Sequence, residues 1–208
     1  LTGIHAQWAG ASDGVIDLHS HILPGVDDGS PDLETSLEMA RMAVADRIAA
    51  MVCTPQIMPG LYHTAPGDIQ ARVADFQMRL RAADIPLYVM AGCEAHCRLD
   101  FVAALTSGRL PTLNGSRYVL FEPPSLVAPS RLEDLIFDIL DAGFTPLVAH
   151  PEKLKWLETH YAVFERMVEA GAWLQVTAGS LTGRFGKNPQ YWAEKLLDDG
   201  LVHVLATD

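Results

Sequence analysis

The chain has 208 residues, 49% of them hydrophobic and 20% charged, a length and balance that suit one globular domain with a substantial core. Its formal net charge of −11 argues against a nucleic-acid-binding surface, and no apolar run approaches the roughly 20 residues that span a bilayer. Three cysteines, Cys53, Cys93 and Cys97, make an odd count and a poor disulfide framework, which favours a reducing, cytoplasmic compartment.

Residues 1–14, "LTGIHAQWAGASDG", lack the basic and apolar regions of an intact signal peptide, and we expect an N-terminal extension there with no chemistry from His5. A single domain is expected over 15–208. Its first strand is predicted at Val15–His19 and is followed by a helix over Asp32–Asp46, with Ser30 as N-cap and Pro31 at N1. Strands at Ala49–Thr54 and Leu87–Ala91 flank a helix at Pro66–Ala83. A helix at Leu99–Ser107 then precedes a strand at Tyr118–Glu122. The pattern continues with a helix at Ser130–Ala142, a strand at Pro146–His150, a helix at His160–Ala170 and a strand at Trp173–Thr177. A helix at Pro189–Asp199 and a strand at Val202–Thr207 complete it. Gly143, Gly171 and Gly200 each follow a helical pattern, as glycines past a helix C-terminus do.

Seven strands alternating with six helices predict a parallel α/β domain, and both an open doubly wound sheet and a closed barrel fit that alternation. Strand ends discriminate between them. A Rossmann sheet concentrates its signal in one glycine-rich turn, and no G-x-G-x-x-G occurs here. Six strand ends instead carry polar side chains, as in a barrel whose site is built from many strands. "IDLHSHILPGVDDG" places His19 and His21 two apart on a strand, hence on one face, with Asp27 and Asp28 in the turn beyond. Glu94, Glu122, His150 and Asp208 stand at four further strand ends, and Gln56 at the second. Each has an ordinary reading alone: a solvated strand end for Glu94, a satisfied core histidine for His150, a frayed end for Asp208. Gathered at one end of a barrel, imidazoles and carboxylates suit zinc, manganese or iron rather than calcium.

"HSHILPGVDDG", "TPQIMPGLY", "LFEPP", "AHPE" and "QVTAGSLTGRFG" resemble the PHP (polymerase and histidinol phosphatase) superfamily. Their combination is similar to its branch of bacterial manganese-dependent protein-tyrosine phosphatases linked to capsule and exopolysaccharide synthesis, from about Val15 to Asp208. That resemblance implies a distorted TIM-like (β/α)7 barrel of PHP type. It implies that His19, His21, Glu94 and Asp208 hold one metal, and that Glu94 bridges to a second held also by Glu122 and His150. Asp28 would serve a third. Two ions are expected and a weak third, because Gln56 stands where the family has a His, and a further His expected two residues past Asp208 lies outside the chain. Lys153 follows "HPE" where the branch often has Arg.

The implied activity is hydrolysis of phosphotyrosine on a protein partner, a bacterial tyrosine kinase, by a metal-activated hydroxide, with Glu94, Asp208 and Lys153 as catalytic residues. Lys153, Arg184, Lys187 and His96 are candidates for holding phosphate, and Tyr62 and Phe185 for stacking on a phenyl ring. A thiol mechanism is excluded, since no cysteine is followed six residues later by Arg; Pro59, Leu99 and Ala103 stand there. Two alternatives remain: a small-molecule phosphatase of the histidinol-phosphate kind, and a binding or regulatory barrel with a weakened metal site.

Overall fold

A computed structural model describes residues 14–208; the expected N-terminal extension, His5 included, lies outside the described residues apart from Gly14. Its strands are β1 (Val15–Ser20), β2 (Ile48–Cys53), β3 (Gln56–Ile57), β4 (Tyr88–Ala91), β5 (Glu94–His96), β6 (Tyr118–Glu122), β7 (Thr145–Ala149), β8 (Trp173–Thr177) and β9 (Val204–Ala206). The helices are α1 (Leu33–Ala45), α2 (Pro66–Ala82), α3 (Phe101–Thr106), α4 (Leu132–Asp141), α5 (Leu157–Glu169), α6 (Ala178–Leu181) and α7 (Lys187–Asp198).

All strand pairs are parallel and form two sheets, ordered β1-β2-β4 and β3-β5-β6-β7-β8-β9. The short strands β3 and β5 are not among the seven expected; they follow the second and third strands across breaks at Thr54–Pro55 and Gly92–Cys93. Pro55 has no N–H to give to a ladder. At Gly92 a Cβ would lie 2.8 Å from Val52 Cγ1 and 3.0 Å from the Leu113 side chain, so only glycine fits the approach. The chain realigns across the gap, with Gly92 N donating to Cys53 O at 3.0 Å and Glu94 N to Pro55 O at 3.1 Å. This step lifts Glu94 into a separate strand beside β6.

Both faces of the central strands are buried, as parallel sheets flanked by helices require. Met51, Cys53, Val119, Phe121 and Val148 pack outward with the helices, where Phe101 meets Phe121 edge-on at 5.2 Å. Ala50, Val52, Met90, Leu120, Leu147 and Ala149 pack inward as a second cluster drawing on both sheets. First and last strands are tied together. Asp17, 2% exposed, accepts from Thr207 N at 3.2 Å and from its hydroxyl, and Asp208 N donates to His19 O at 3.0 Å.

Three boundaries differ from expectation. Asp32, not Ser30, caps α1: its φ is −154° and its carboxylate accepts from Thr35 N at 2.9 Å, while the Ser30 hydroxyl donates to Asp32 O. α5 starts at Leu157 with a kink at His160 (φ −123°), because a 3-10 turn at Pro151–Lys153 feeds it. The expected loop after β8 contains the single-turn α6. Gly143, Gly171 and Gly200 do follow α4, α5 and α7 with positive φ.

Candidate metal centre

His19 and His21 leave the end of β1 with their rings convergent, Nε2 to Nε2 at 3.1 Å. Two carboxylates close the group. Glu94 Oε1 and Asp208 Oδ1 lie 3.3 and 3.2 Å from His19 Nε2, and Glu94 Oε2 and Asp208 Oδ1 lie 3.4 and 3.5 Å from His21 Nε2. Atoms sharing one ion at about 2.0–2.2 Å sit about 2.8–3.6 Å from each other, octahedral neighbours at the short end and tetrahedral pairs at the long end. The observed separations fall in that interval, so these four residues fit a transition-metal ion. Glu94 faces both ways, since its Oε1 is also 3.0 Å from His150 Nε2. Glu94, Glu122 and His150 form a second group whose donor atoms lie within 4.8 Å of one another, and His150 joins His19 and Asp208 in another.

Electrostatics agree with that reading. Burial alone would depress the His21 imidazole, yet the carboxylates of Asp208, Asp27 and Glu94 raise it from 6.5 to about 12. His19 is likewise raised against its burial by Glu94 and Asp208. Burial would raise Asp208, but His21, His19, His150 and Lys153 hold its carboxyl well below the ordinary range, and Glu94 is lowered by the same histidines. A centre that holds protons this firmly on buried imidazoles is a centre with unmet demand for positive charge, which divalent cations satisfy.

Local backbone supports the same conclusion. His150 sits at φ 33°, ψ 54°, a left-handed conformation, although the residue before a proline is ordinarily extended. Such strain costs on the order of 1–3 kcal/mol and clusters at functional sites. Its Nδ1 is buried without a hydrogen-bond partner, as is Glu122 Oε2. His96 Nε2 nevertheless lies 2.7 Å from that oxygen, and the Glu122 carboxylate raises the His96 imidazole against its burial.

The family profile for capsular polysaccharide synthesis proteins of the CpsB/CapC type matches residues 15–208. The chain belongs to the CpsB/CapC family. Over 194 residues it is 36% identical to the tyrosine-protein phosphatase YwqE of Bacillus subtilis strain 168, covering 93% of this chain and 76% of that protein. It is 26% identical over 204 residues to the tyrosine-protein phosphatase CpsB of Streptococcus pneumoniae, covering 93% and 82%. Among solved structures it is similar to one from a pair, YwqE of Bacillus subtilis and CpsB of Streptococcus pneumoniae, described as unique metal-dependent tyrosine phosphatases. The TM-score is 0.90 at 36% identity, over 93% of this chain and 78% of that one.

In this CpsB/CapC chain the ligand-type residues are held by a shell that the motif alone does not reveal. His19 Nδ1 donates to Gln175 Oε1 at 2.9 Å, both residues fully buried, which turns Nε2 toward the carboxylates. His21 Nδ1 donates to Asp27 Oδ2 at 2.8 Å. Each imidazole is thus oriented through its second nitrogen, the usual device of metal-binding histidines. A polar amide inside the apolar strand "WLQVT" was the available signal for Gln175. Asp27 also accepts from Gln56 N at 3.0 Å and Gly29 N at 3.0 Å. Gly29 has no room for a side chain, since a Cβ there would lie 2.2 Å from His21 O.

The expected third position is more complex than Asp28 with Gln56. His21, Asp27 and Asp28 form the candidate group, Asp28 is exposed, and Gln56 engages through its backbone N–H. Lys153 reaches the centre: Nζ donates to Asp208 Oδ2 at 2.5 Å, and Thr177 Oγ1 donates to the same oxygen at 3.1 Å. Phe185 stacks on that ammonium at 4.3 Å, so in this structure it faces a cation. Arg184, on the segment joining α6 to α7, and Lys187, the first residue of α7, stand exposed, and neither forms an ion pair among the described residues. Tyr62 closes a turn through backbone bonds to Met58. Glu152, fully buried, accepts from Thr177 N at 3.0 Å and Ser180 Oγ at 2.8 Å, pinning "TAGS" beside the centre. The cysteines are free; Cys53 and Cys93 are buried and Cys97 half-buried, and burial pushes all three thiols up, away from the reactive thiolate.

Proposed function

We propose that this chain is a metal-dependent protein-tyrosine phosphatase that hydrolyses phosphotyrosine on a bacterial tyrosine kinase of a capsule or exopolysaccharide system. The reaction adds water across the P–O bond and yields tyrosine and inorganic phosphate. The observation that carries this reading is the convergence of His19, His21, Glu94 and Asp208 donors at 3.1–3.5 Å, in a chain similar to proteins named as tyrosine phosphatases.

His19, His21, Glu94 and Asp208 hold one ion in this account, Glu94, Glu122 and His150 a second, and Asp27 and Asp28 flank a weaker third position. Divalent ions in such a site supply Lewis acidity toward phosphoryl oxygens and lower the pKa of water. Imidazole and carboxylate donors suit manganese, with iron and zinc as the other fitting metals. Gln175 and Asp27 fix the two rings. Lys153 holds Asp208 and places an ammonium where phosphate charge must be balanced. His96, beside Glu122, faces the same mouth, and Arg184 and Lys187 wait on the segment after α6 to meet phosphate. We read the two sheets as one distorted (β/α)7 barrel of PHP type, supported by the shared interior cluster and by the Asp17–Thr207 tie between first and last strands. No described helix is long and apolar enough to cross a membrane, and the free cysteines support our assignment to the cytoplasm. What weighs against a purely regulatory barrel is that every residue of the proposed two-ion set occurs in the chain, with the His19, His21, Glu94 and Asp208 donors 3.1–3.5 Å apart.

The test is turnover by the metal-free chain before and after adding manganese, iron or zinc, on a phosphotyrosine peptide and on histidinol phosphate. We expect peptide hydrolysis that depends on added metal. Preference for histidinol phosphate would favour the small-molecule reading, and turnover of neither the binding module.

A further inference from the structure

Asp208 offers its two oxygens to different partners. Oδ1 faces the His19 and His21 imidazoles at 3.2 and 3.5 Å. Oδ2 receives the Lys153 ammonium at 2.5 Å and the Thr177 hydroxyl at 3.1 Å. A carboxylate held this way presents one oxygen to an ion and keeps the other occupied, so the two donors govern how Asp208 can bind. Neither donor comes from the strand end that carries Asp208. Lys153 closes the 3-10 turn Pro151–Lys153, and Thr177 ends β8. Their relative placement depends on a third side chain.

Glu152 lies between the two segments. It belongs to the turn, next to Lys153, and is fully buried, as are Thr177 and Ser180. Its Oε1 accepts from Thr177 N at 3.0 Å and from Ser180 Oγ at 2.8 Å. Hydrogen bonds to a carboxylate are the stronger kind, and burial keeps water from competing for these. The turn they hold starts from His150 in a left-handed conformation (φ 33°), which persists only where surrounding contacts over-determine it. Its backbone bonds, Lys153 N to His150 O at 3.0 Å and Leu154 N to Pro151 O at 3.1 Å, shape the turn without tying it to β8. Among the described residues, the hydrogen bonds from the turn to the end of β8 and to α6 run through the Glu152 side chain.

We propose that Glu152 is a positioning residue of the metal centre: its length sets where Lys153 and Thr177 meet on Asp208 Oδ2, and so how Oδ1 is turned toward an ion. The inference rests on the metal-centre reading above. Its test separates length from charge. Glu152→Gln keeps the length and an acceptor oxygen without the charge, whereas Glu152→Asp keeps the charge and falls one methylene short. These variants of the whole chain, and Thr177→Val, are stripped of metal, and manganese affinity is measured without substrate by competition with a chromophoric chelator. Hydrolysis of a phosphotyrosine peptide is followed separately. Glu152→Gln should stay within about threefold of the unaltered affinity, and Glu152→Asp should lose about 10- to 100-fold. Thr177→Val should lose affinity too, and adding Glu152→Asp to it should cost less than Glu152→Asp costs alone, since both act on one oxygen. A loss in Glu152→Gln as large as in Glu152→Asp makes charge the contribution and overturns the proposal. Unchanged affinity in Thr177→Val, or in Glu152→Asp with its circular dichroism intact, overturns it as well. If Glu152→Asp does not fold, Glu152→Gln and Thr177→Val decide. Manganese binding as expected without phosphotyrosine hydrolysis brings down the phosphatase reading and leaves the positioning role standing; an unaltered chain that binds no manganese brings down both.

Discussion

Replacing Gln175 with Leu removes the only acceptor shown for His19 Nδ1 while nearly conserving volume. The contact is 2.9 Å long between two fully buried residues, so no water stands ready to replace it. Gln175 is itself oriented, because its Nε2 lies 3.5 Å from Thr177 Oγ1, which leaves Oε1 toward the imidazole. A buried donor left unsatisfied costs about 1–3 kcal/mol. His19 can escape that cost by turning its ring or changing tautomer, and either move spoils the Nε2 lone pair aimed at Glu94 and Asp208. Metal affinity should then fall about 10- to 100-fold, the range typical of outer-shell losses. Gln175→Glu keeps an acceptor and should hold affinity near or above that of the unaltered chain. Competition with a chromophoric chelator measures both, and far-ultraviolet circular dichroism of each variant checks that the fold persists. Unchanged metal affinity in Gln175→Leu would refute the claim that this amide orients the ring.

Three further outcomes follow from the same geometry. Cys53→Ser, Cys93→Ser and Cys97→Ser should each keep most metal-dependent turnover, whereas inactivation by alkylation of Cys97 with metals still bound would count against a non-thiol mechanism. Gln56→His, beside Asp27 and Asp28, should raise the number of ions retained on dialysis and increase turnover; no change in either would make Gln56 irrelevant to a third position. In the metal-free protein the His21 imidazole is raised from 6.5 to about 12, so its stabilisation is complete below about pH 6.5 and is lost as pH rises through that interval. Glu94 and Asp208 are held low, so their share is present above the ordinary carboxylate range and lost as pH falls below it. Melting of the metal-free protein should therefore peak between about pH 5 and 6.5, and a metal-free Tm that climbs from pH 7 to 9 would contradict this.

Much of the candidate site was legible because a strand has a strict period of two and a parallel α/β fold delivers its strand ends to one side. His19, His21, Glu94, Glu122, His150 and Asp208 all needed only that. What the sequence concealed depends on contacts between distant segments. Gln175 reads as a strand residue until β8 is placed next to His19, 156 positions earlier. Asp17 carries no signal beyond its place in the strand Val15–His19 until Thr207 is found donating to it. Ser30 reads as the cap of α1 until Ser36 Oγ is seen donating to Ser30 Oγ at 2.7 Å, tying that side chain into the turn before the helix. The gaps at Pro55 and Gly92 were visible as residues, but only the packing of Val52 and Leu113 against Gly92 shows that they fall at the same level and split the strands.

The centre is most directly tested by neutralising Glu94, the carboxylate proposed to serve both ions, without changing its shape. Metal-free protein and its Glu94→Gln variant should each be titrated with manganese, following bound ions per chain and phosphotyrosine hydrolysis together. The account predicts two tightly held ions and full turnover in the unaltered chain, with loss of tight binding and of turnover in the variant. Hydrolysis that persists in the presence of chelator, or a variant that binds two ions and turns over normally, would contradict it.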